Sequence, residues 1–181
     1  MIKPLFLLDL DDTVLQTARK MPSDAPRHIA ALDKQGQPLS YTNNNQRLFL
    51  EWLLATADVV PVTARSVEAC KRVQIPFRQG AICAHGAVML QADGRIDAVW
   101  HDYMTSVLDD KQAPINLVNQ RLAEIGVELG LTLRTWVVEE QGLATYALAK
   151  HQNHRDEVLV EVEALLRQTT DLSDFYIHRN S

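Results

Sequence analysis

The sequence predicts an α/β protein, with a doubly wound, parallel half-sheet in its N-terminal half and a separate small α+β layer after it. Three observations predict this. Short unbroken apolar runs, Leu5-Phe6-Leu7-Leu8, Val59-Val60-Pro61-Val62 and Ala81-Ile82-Cys83-Ala84, have the pattern of strands buried on both faces. Segments of helical spacing separate them, giving the order strand, helix, strand, helix, strand. After about His101 the pattern changes to helix, two alternating strands, helix and a last short strand.

Taken in order, Pro4 opens the first run, where its missing N–H removes no interior ladder bond, and the run ends in Asp9-Leu10-Asp11-Asp12-Thr13. Residues 16–41 show little periodicity and are punctuated by Pro22, Pro26, Gly36 and Pro38. So long a connection is uncommon unless it is functional, and a hairpin or lid over the strand end is expected. Residues 42–45 supply candidate N-caps for a helix whose stripe is Leu48, Phe49, Trp52, Leu53 and Ala55, ending near Asp58. Pro61 counts against a central position for the second run, but the element order requires a strand there. Ser66 caps a short helix through Val73, which Pro76 stops.

The third run leads through His85-Gly86-Ala87-Val88-Met89-Leu90 to Asp93-Gly94, a tight hairpin turn into a strand over 96–100. Beyond it, Ile115, Val118, Leu122, Ile125 and Leu129 predict a helix over 114–129, and residues 131–138 and 143–149 alternate as strands around Gln141-Gly142. A second amphipathic helix is expected over 155–167 and a strand at Phe175-Tyr176-Ile177. The domain division is placed at 1–90 and 91–181.

Composition narrows the function. With 18 Lys+Arg against 23 Asp+Glu, the net charge of −5 offers no basic field for a nucleic-acid backbone. No apolar run approaches the roughly 20 residues of a membrane span, and Asp9 comes too soon for a signal peptide, so the cytoplasm is the expected location. Cys70 and Cys83 have no cluster of ligand-type neighbours and read as reduced core residues. His151 and His154 lack a third ligand for zinc.

The chemistry sits at Asp9 and Asp11. Two carboxylates at i and i+2 just past a buried strand can face one cavity, where ligands bind in open α/β sheets. Their repulsion calls for a cation or a proton, and Mg²⁺ suits oxygen ligands and a phosphate substrate. On this reading Asp9 is a nucleophile that forms an aspartyl-phosphate, and Asp11 protonates the leaving alcohol and then activates water. Thr63, past the second strand end, binds phosphoryl oxygens through its hydroxyl and backbone N–H. The plainer alternative is a solvated acidic turn in which Asp12 or Thr13 caps a helix.

Asp9-Leu10-Asp11-Asp12-Thr13 after Leu5-Phe6-Leu7-Leu8 resembles the first motif of the haloacid dehalogenase superfamily, and Val60-Pro61-Val62-Thr63-Ala64-Arg65 resembles its second. Ile82-Cys83-Ala84-His85-Gly86-Ala87-Val88 with the following turn is similar to the branch carrying a large α/β cap, which includes sucrose-phosphate, trehalose-phosphate and mannosyl-type phosphatases. The resemblance implies a Rossmann-like core with an inserted α+β cap, and Mg²⁺-dependent hydrolysis of a small phosphorylated metabolite, a sugar phosphate above all. It implies Asp9 as nucleophile and metal ligand, Asp11 as acid/base and, through its backbone carbonyl, metal ligand, and Thr63, Ala64, Arg65 and His85 as the phosphate or substrate side. Arg65 either meets a substrate oxygen or sits at the helix start, and His85, where many relatives have asparagine, is either a ligand contact or a hairpin residue.

The same resemblance calls for a later lysine and an aspartate-rich loop after the cap, for which Lys150, Asp171 and Asp174 are poor stand-ins. The expectation is therefore a partial core. A non-catalytic binding module that keeps the half-sheet and cap is the rival reading.

Overall fold

The computed structural model describes residues 2–152 and 155–179, so His154 lies outside the described residues. It divides into two compact units, Met1–Met104 and Thr105–Ser181.

In the first unit, β1 (Leu5–Asp9) pairs in parallel with β5 (Asp58–Val62), and β5 pairs in parallel with β6 (Ala81–Cys83). β7 (Val88–Leu90) closes the sheet antiparallel to β6, giving the order β1-β5-β6-β7. The parallel α/β sheet is thus present, with an antiparallel strand at one edge. Pro61 is tolerated centrally because β5 meets β6 only at Val62, one residue beyond it, so its missing N–H opens no interior bond.

Residues 16–41 are an ordered antiparallel sheet rather than a loose lid. β2 (Gln16–Thr17), β3 (His28–Leu32) and β4 (Pro38–Thr42) lie in the order β2-β4-β3. Gly36, at φ 78°, supplies the left-handed residue of the β3–β4 turn. Helix α1 (Asn44–Thr56) follows behind a full capping box: Asn43 Oδ1 accepts from the Gln46 amide at 2.9 Å, and Gln46 Oε1 accepts from the Asn43 amide at 3.0 Å. Its buried face is Leu50 and Leu53, with Leu54 packed alongside. This corrects the expected stripe, since Leu48, Phe49 and Trp52 face outward and Trp52 is 60% exposed. The helix is apolar on two sides, and the core lies against only one of them.

A second correction concerns β1. A strand buried on both faces was the expectation, yet Leu8 is 4% exposed and Leu7 58%, with Leu5 and Phe6 also open. β1 lies at a sheet edge with a neighbour on one side only. The tightest packing comes just after it, where Leu10, Val14 and Leu15 join Leu8, Ala30, Leu50, Leu53 and Val59.

Helix α2 (Val67–Cys70) is a single turn, shorter than expected, capped by the Ser66 hydroxyl accepting from the Ala69 amide at 3.1 Å. Gly80 stands at φ 87°, where an added Cβ would meet the Leu90 carbonyl oxygen, so only glycine fits. The Asp93-Gly94 turn forms as expected, but the strand predicted over 96–100 does not. Ile96 makes an isolated bridge to Leu90, and α3 (Ala98–Leu108) begins directly after Asp97. Asp97 is the reason: its Oδ1 accepts from the Trp100 amide at 2.9 Å and its carbonyl from the His101 amide at 3.0 Å, an N-cap arrangement.

The division between the units falls inside α3, not at the expected 90/91 boundary. In the second unit, α4 (Gln112–Glu128), β8 (Leu133–Glu140), β9 (Leu143–His151) and α5 (Leu159–Thr169) pack around Val118, Leu122, Ile125, Val162 and Leu166. β8 and β9 form an antiparallel pair turned by Gln141 and Gly142, both at positive φ. No strand forms at Phe175-Tyr176-Ile177. Phe175 and Ile177 instead pack on this cluster from irregular chain, the Phe175 amide donating to the Leu172 carbonyl at 2.9 Å. No helix among the described residues is long and apolar enough to cross a membrane.

The edge position of β1 gives a contrast to test. By urea unfolding, Leu10→Ala, at a fully buried position, is expected to cost about 2–5 kcal/mol. Leu7→Ala is expected to cost about 0.5 kcal/mol or less. An equal loss at both sites would mean that the outer face of β1 is covered.

Candidate active site

The strand register assembles the site. Asp9 is the Cα partner of Val62, and Val62 of Ile82, so three parallel strands end at one edge. Asp9, Thr63 and the chain after Cys83 therefore leave the sheet side by side. Just past β1 the chain turns sharply. The Val14 and Leu15 amides both donate to the Leu10 carbonyl, the Asp12 amide donates to the Leu15 carbonyl at 2.8 Å, and Asp12 adopts φ 61°. Aspartate tolerates that left-handed conformation better than a branched residue does.

Each carboxylate of this turn has its own partner. Asp9 Oδ2 accepts from the Thr13 hydroxyl at 2.5 Å, leaving Oδ1 without a partner among the described residues. Asp12 pairs with Lys20 at 2.8 Å. Asp11 is held in a bidentate grip, with Arg65 Nε donating to Oδ2 at 2.8 Å and Nη2 to Oδ1 at 2.7 Å. Arg65 is 12% exposed at its side chain and Asp11 49%, so this pair is less screened than the Lys20 pair. Arg65 Nη2 also donates to the Ser40 hydroxyl at 3.3 Å, which ties β4 to the site.

Thr63 is buried, and its hydroxyl accepts from the Arg65 amide at 3.1 Å. Its own N–H donates to the Ile82 carbonyl at 2.9 Å. The expected use of that N–H for phosphate is therefore corrected, and the hydroxyl is the group that remains. Ala64 lies between Thr63 and Arg65 on the same turn. His85 is exposed, in the left-handed region at φ 56°, and its amide donates to the Thr63 carbonyl at 3.1 Å. Arg65 turns out to bridge Asp11 and Ser40, a role outside the two readings of its sequence.

Sequence reasoning missed three supporting residues. Ser40 carries no motif and is brought in only by the pairing of β4. Gln46 closes the capping box, a readable signal, while its Nε2 also donates to the Thr13 carbonyl at 3.0 Å. Trp100 Nε1 donates to the Gly86 carbonyl at 2.8 Å, bracing the turn beside His85. The stand-ins considered for a later lysine and aspartates have partners in their own unit. Lys150 lies over the Trp136 ring, Asp174 pairs with Lys111 and Asp171 accepts from the Ser173 amide.

The donor set fits Mg²⁺ in kind. Mg²⁺ usually keeps several waters and takes one or two carboxylates together with substrate phosphate oxygens. Asp9 is such a carboxylate and the Asp11 backbone carbonyl a further oxygen, and no group of three or more His, Cys, Asp or Glu side chains able to hold a metal occurs among the described residues.

No protein-family model matches the chain, and no curated protein matches it. Among solved structures, it is similar to a phosphatase of the haloalkanoate (HAD) enzyme superfamily from Bacteroides thetaiotaomicron. The identity is 13% with a TM-score of 0.36, over 90% of this chain and 47% of that one. It is also similar to a trehalose-6-phosphate phosphatase related protein, at 17% identity and a TM-score of 0.44, over 91% of this chain and 60% of that one. The chain thus spans about half to three fifths of the length of these structures.

Two outcomes follow from the geometry. Arg65→Met is expected to lower stability by about 1–3 kcal/mol through loss of charge-assisted bonds, against about 0–1 kcal/mol for Lys20→Met. A double-mutant cycle with Asp11→Asn isolates the Arg65 coupling. The Asp97 carboxyl is held below its ordinary value, chiefly by the Trp100 amide and then by the Gln91 side chain. A depressed folded-state value means that its contribution is present above the ordinary carboxyl range and is lost as pH falls through the folded value. Wild type should therefore lose stability relative to Asp97→Asn on acidification, as read by urea midpoints across pH.

Proposed function

We propose that the protein is a Mg²⁺-dependent phosphatase of a small phosphomonoester, with a sugar phosphate as the preferred class. The observation that carries this reading is the convergence of Asp9, the Arg65-gripped Asp11 and the Thr63 hydroxyl at one strand edge. The sequence motifs at the same positions support it. The first unit acts as the core and the second as a substrate-selecting cap.

The Asp9 carboxylate, oriented by Thr13, attacks phosphorus. An acyl-phosphate bond forms as the ester P–O bond breaks. Asp11, which accepts both Arg65 bonds as a carboxylate here, takes up a proton before the reaction, gives it to the departing alkoxide and then takes one from the water that attacks the aspartyl-phosphate, releasing inorganic phosphate and restoring Asp9. Arg65 sets the orientation of Asp11, and its guanidinium adds positive charge where the phosphoryl oxygens gather. The Thr63 hydroxyl, which accepts from the Arg65 amide, has its proton to offer a phosphoryl oxygen. The Asp9 carboxylate and the Asp11 backbone carbonyl would hold Mg²⁺, which supplies charge neutralisation for the phosphoryl group.

Among the described residues no group of three or more metal-type side chains occurs, and a second reading is a module that binds a phosphorylated metabolite without hydrolysing it. Phosphate release from a panel of sugar phosphates with Mg²⁺ separates the two. Turnover that is abolished by Asp9→Asn and slowed about 10²–10⁴-fold by Asp11→Asn supports the phosphatase. Saturable binding without release supports the module. Release that survives Asp9→Asn at the wild-type level removes Asp9 as nucleophile.

A further inference from the structure

Directly behind the 63–65 turn lie the chain's two cysteines. Cys70 ends α2, whose cap Ser66 follows Arg65, and its amide donates to the Ser66 carbonyl at 2.8 Å. Cys83 ends β6, and the next residue, Ala84, donates its amide to the Arg65 carbonyl at 2.8 Å. Cys83 lies in one buried cluster with Val67, Ala81 and Val88, and Cys70 packs against that same cluster. Neither is in a disulfide.

The two differ in access. Cys83 is fully buried. Cys70 is half-buried and lines a cleft of about 180 Å³ together with Lys71, Phe77, Gly80 and Leu90. A small neutral oxidant can therefore reach Cys70 from the cleft, and Cys83 needs no exposure of its own because Cys70 packs against the cluster that holds it.

We propose that Cys70 and Cys83 form a dithiol modification site, closed to an intramolecular disulfide by a peroxide-class oxidant and fixing α2 to β6 behind the 63–65 turn. The Cys70 thiolate attacks a peroxide oxygen. An S–O bond forms, the O–O bond breaks, and the released hydroxide leaves as water with the proton that Cys70 gave up. The Cys83 sulfur then attacks the Cys70 sulfur. The S–S bond forms, the S–O bond breaks, and the hydroxyl leaves as water with the Cys83 proton. Two thiols lose two electrons in all, and one hydrogen peroxide becomes two waters.

The electrostatics favour Cys70 as the attacking group. The hydrogen bond from Cys83 lowers its thiol below the ordinary value, and Arg65 adds to this against the opposing effects of burial and Asp11. The pairing stands apart from the phosphatase reading, since it uses neither substrate nor metal.

The test treats the native protein with hydrogen peroxide, blocks the remaining thiols in denaturant and maps tryptic peptides. The expected result is loss of both reactive thiols and a cross-linked pair joining peptides 66–71 and 79–95, separated again by dithiothreitol. The rate should rise with pH and level off below the range of an ordinary thiol. In Cys83→Ser, or in Cys83→Ala if serine unfolds the cluster, Cys70 should instead accumulate a sulfenic acid trapped by dimedone. Three outcomes would overturn the proposal: Cys83 still free while Cys70 is oxidised further, a disulfide between two chains through Cys70, or both thiols unreactive in the folded protein.

Discussion

The parallel pairing of β1 with β5, and of β5 with β6, is the constraint on which the remainder of the first unit depends. Parallel strands that start in register also end in register, so residues distant in sequence leave the sheet at one edge. Asp9 and Thr63 are neighbours for that reason, and the His85 amide reaches the Thr63 carbonyl. The pairing also explains why the turn after β1 is packed so hard. Leu10, Val14 and Leu15 anchor it from below, so the carboxylates above are presented by a rigid base.

Charge balance at that edge is local. Three aspartates follow one another within a single turn, and each is answered by a different group: a hydroxyl for Asp9, a guanidinium for Asp11 and an ammonium for Asp12. Those groups come from the turn itself, from the loop after β5 and from the segment after β2. The small three-stranded sheet is thereby fastened to the acidic turn through Lys20 and through Ser40 on Arg65. Neutralising Asp11 and positioning the sheet are two consequences of the same arginine.

The first unit shows apolar surface in two places: Leu5, Phe6 and Leu7 of β1 stay open, and the outward side of α1 shows Leu48, Phe49 and Trp52. Both segments read as core in the sequence because composition reports what a residue would gain by burial. It does not report whether a second layer is present to bury it.

Much was legible in advance where the signal is local. The apolar runs placed β1, β5 and β6, the spacing of Ile115 through Ile125 placed α4, and the acidic motif was placed correctly at the end of β1, because strand and helix periods and turn residues act over a few positions. The start of α3 was legible too, in Asp97 as an N-cap, but the Asp93-Gly94 turn drew attention to a hairpin instead. Which face of α1 is buried, that Phe175 packs without forming a strand, that Ser40 touches Arg65 and that Cys70 meets Cys83 were settled only by tertiary structure. Those facts depend on what lies opposite each residue in space, and a periodic pattern fixes the direction of a side chain without naming its neighbour.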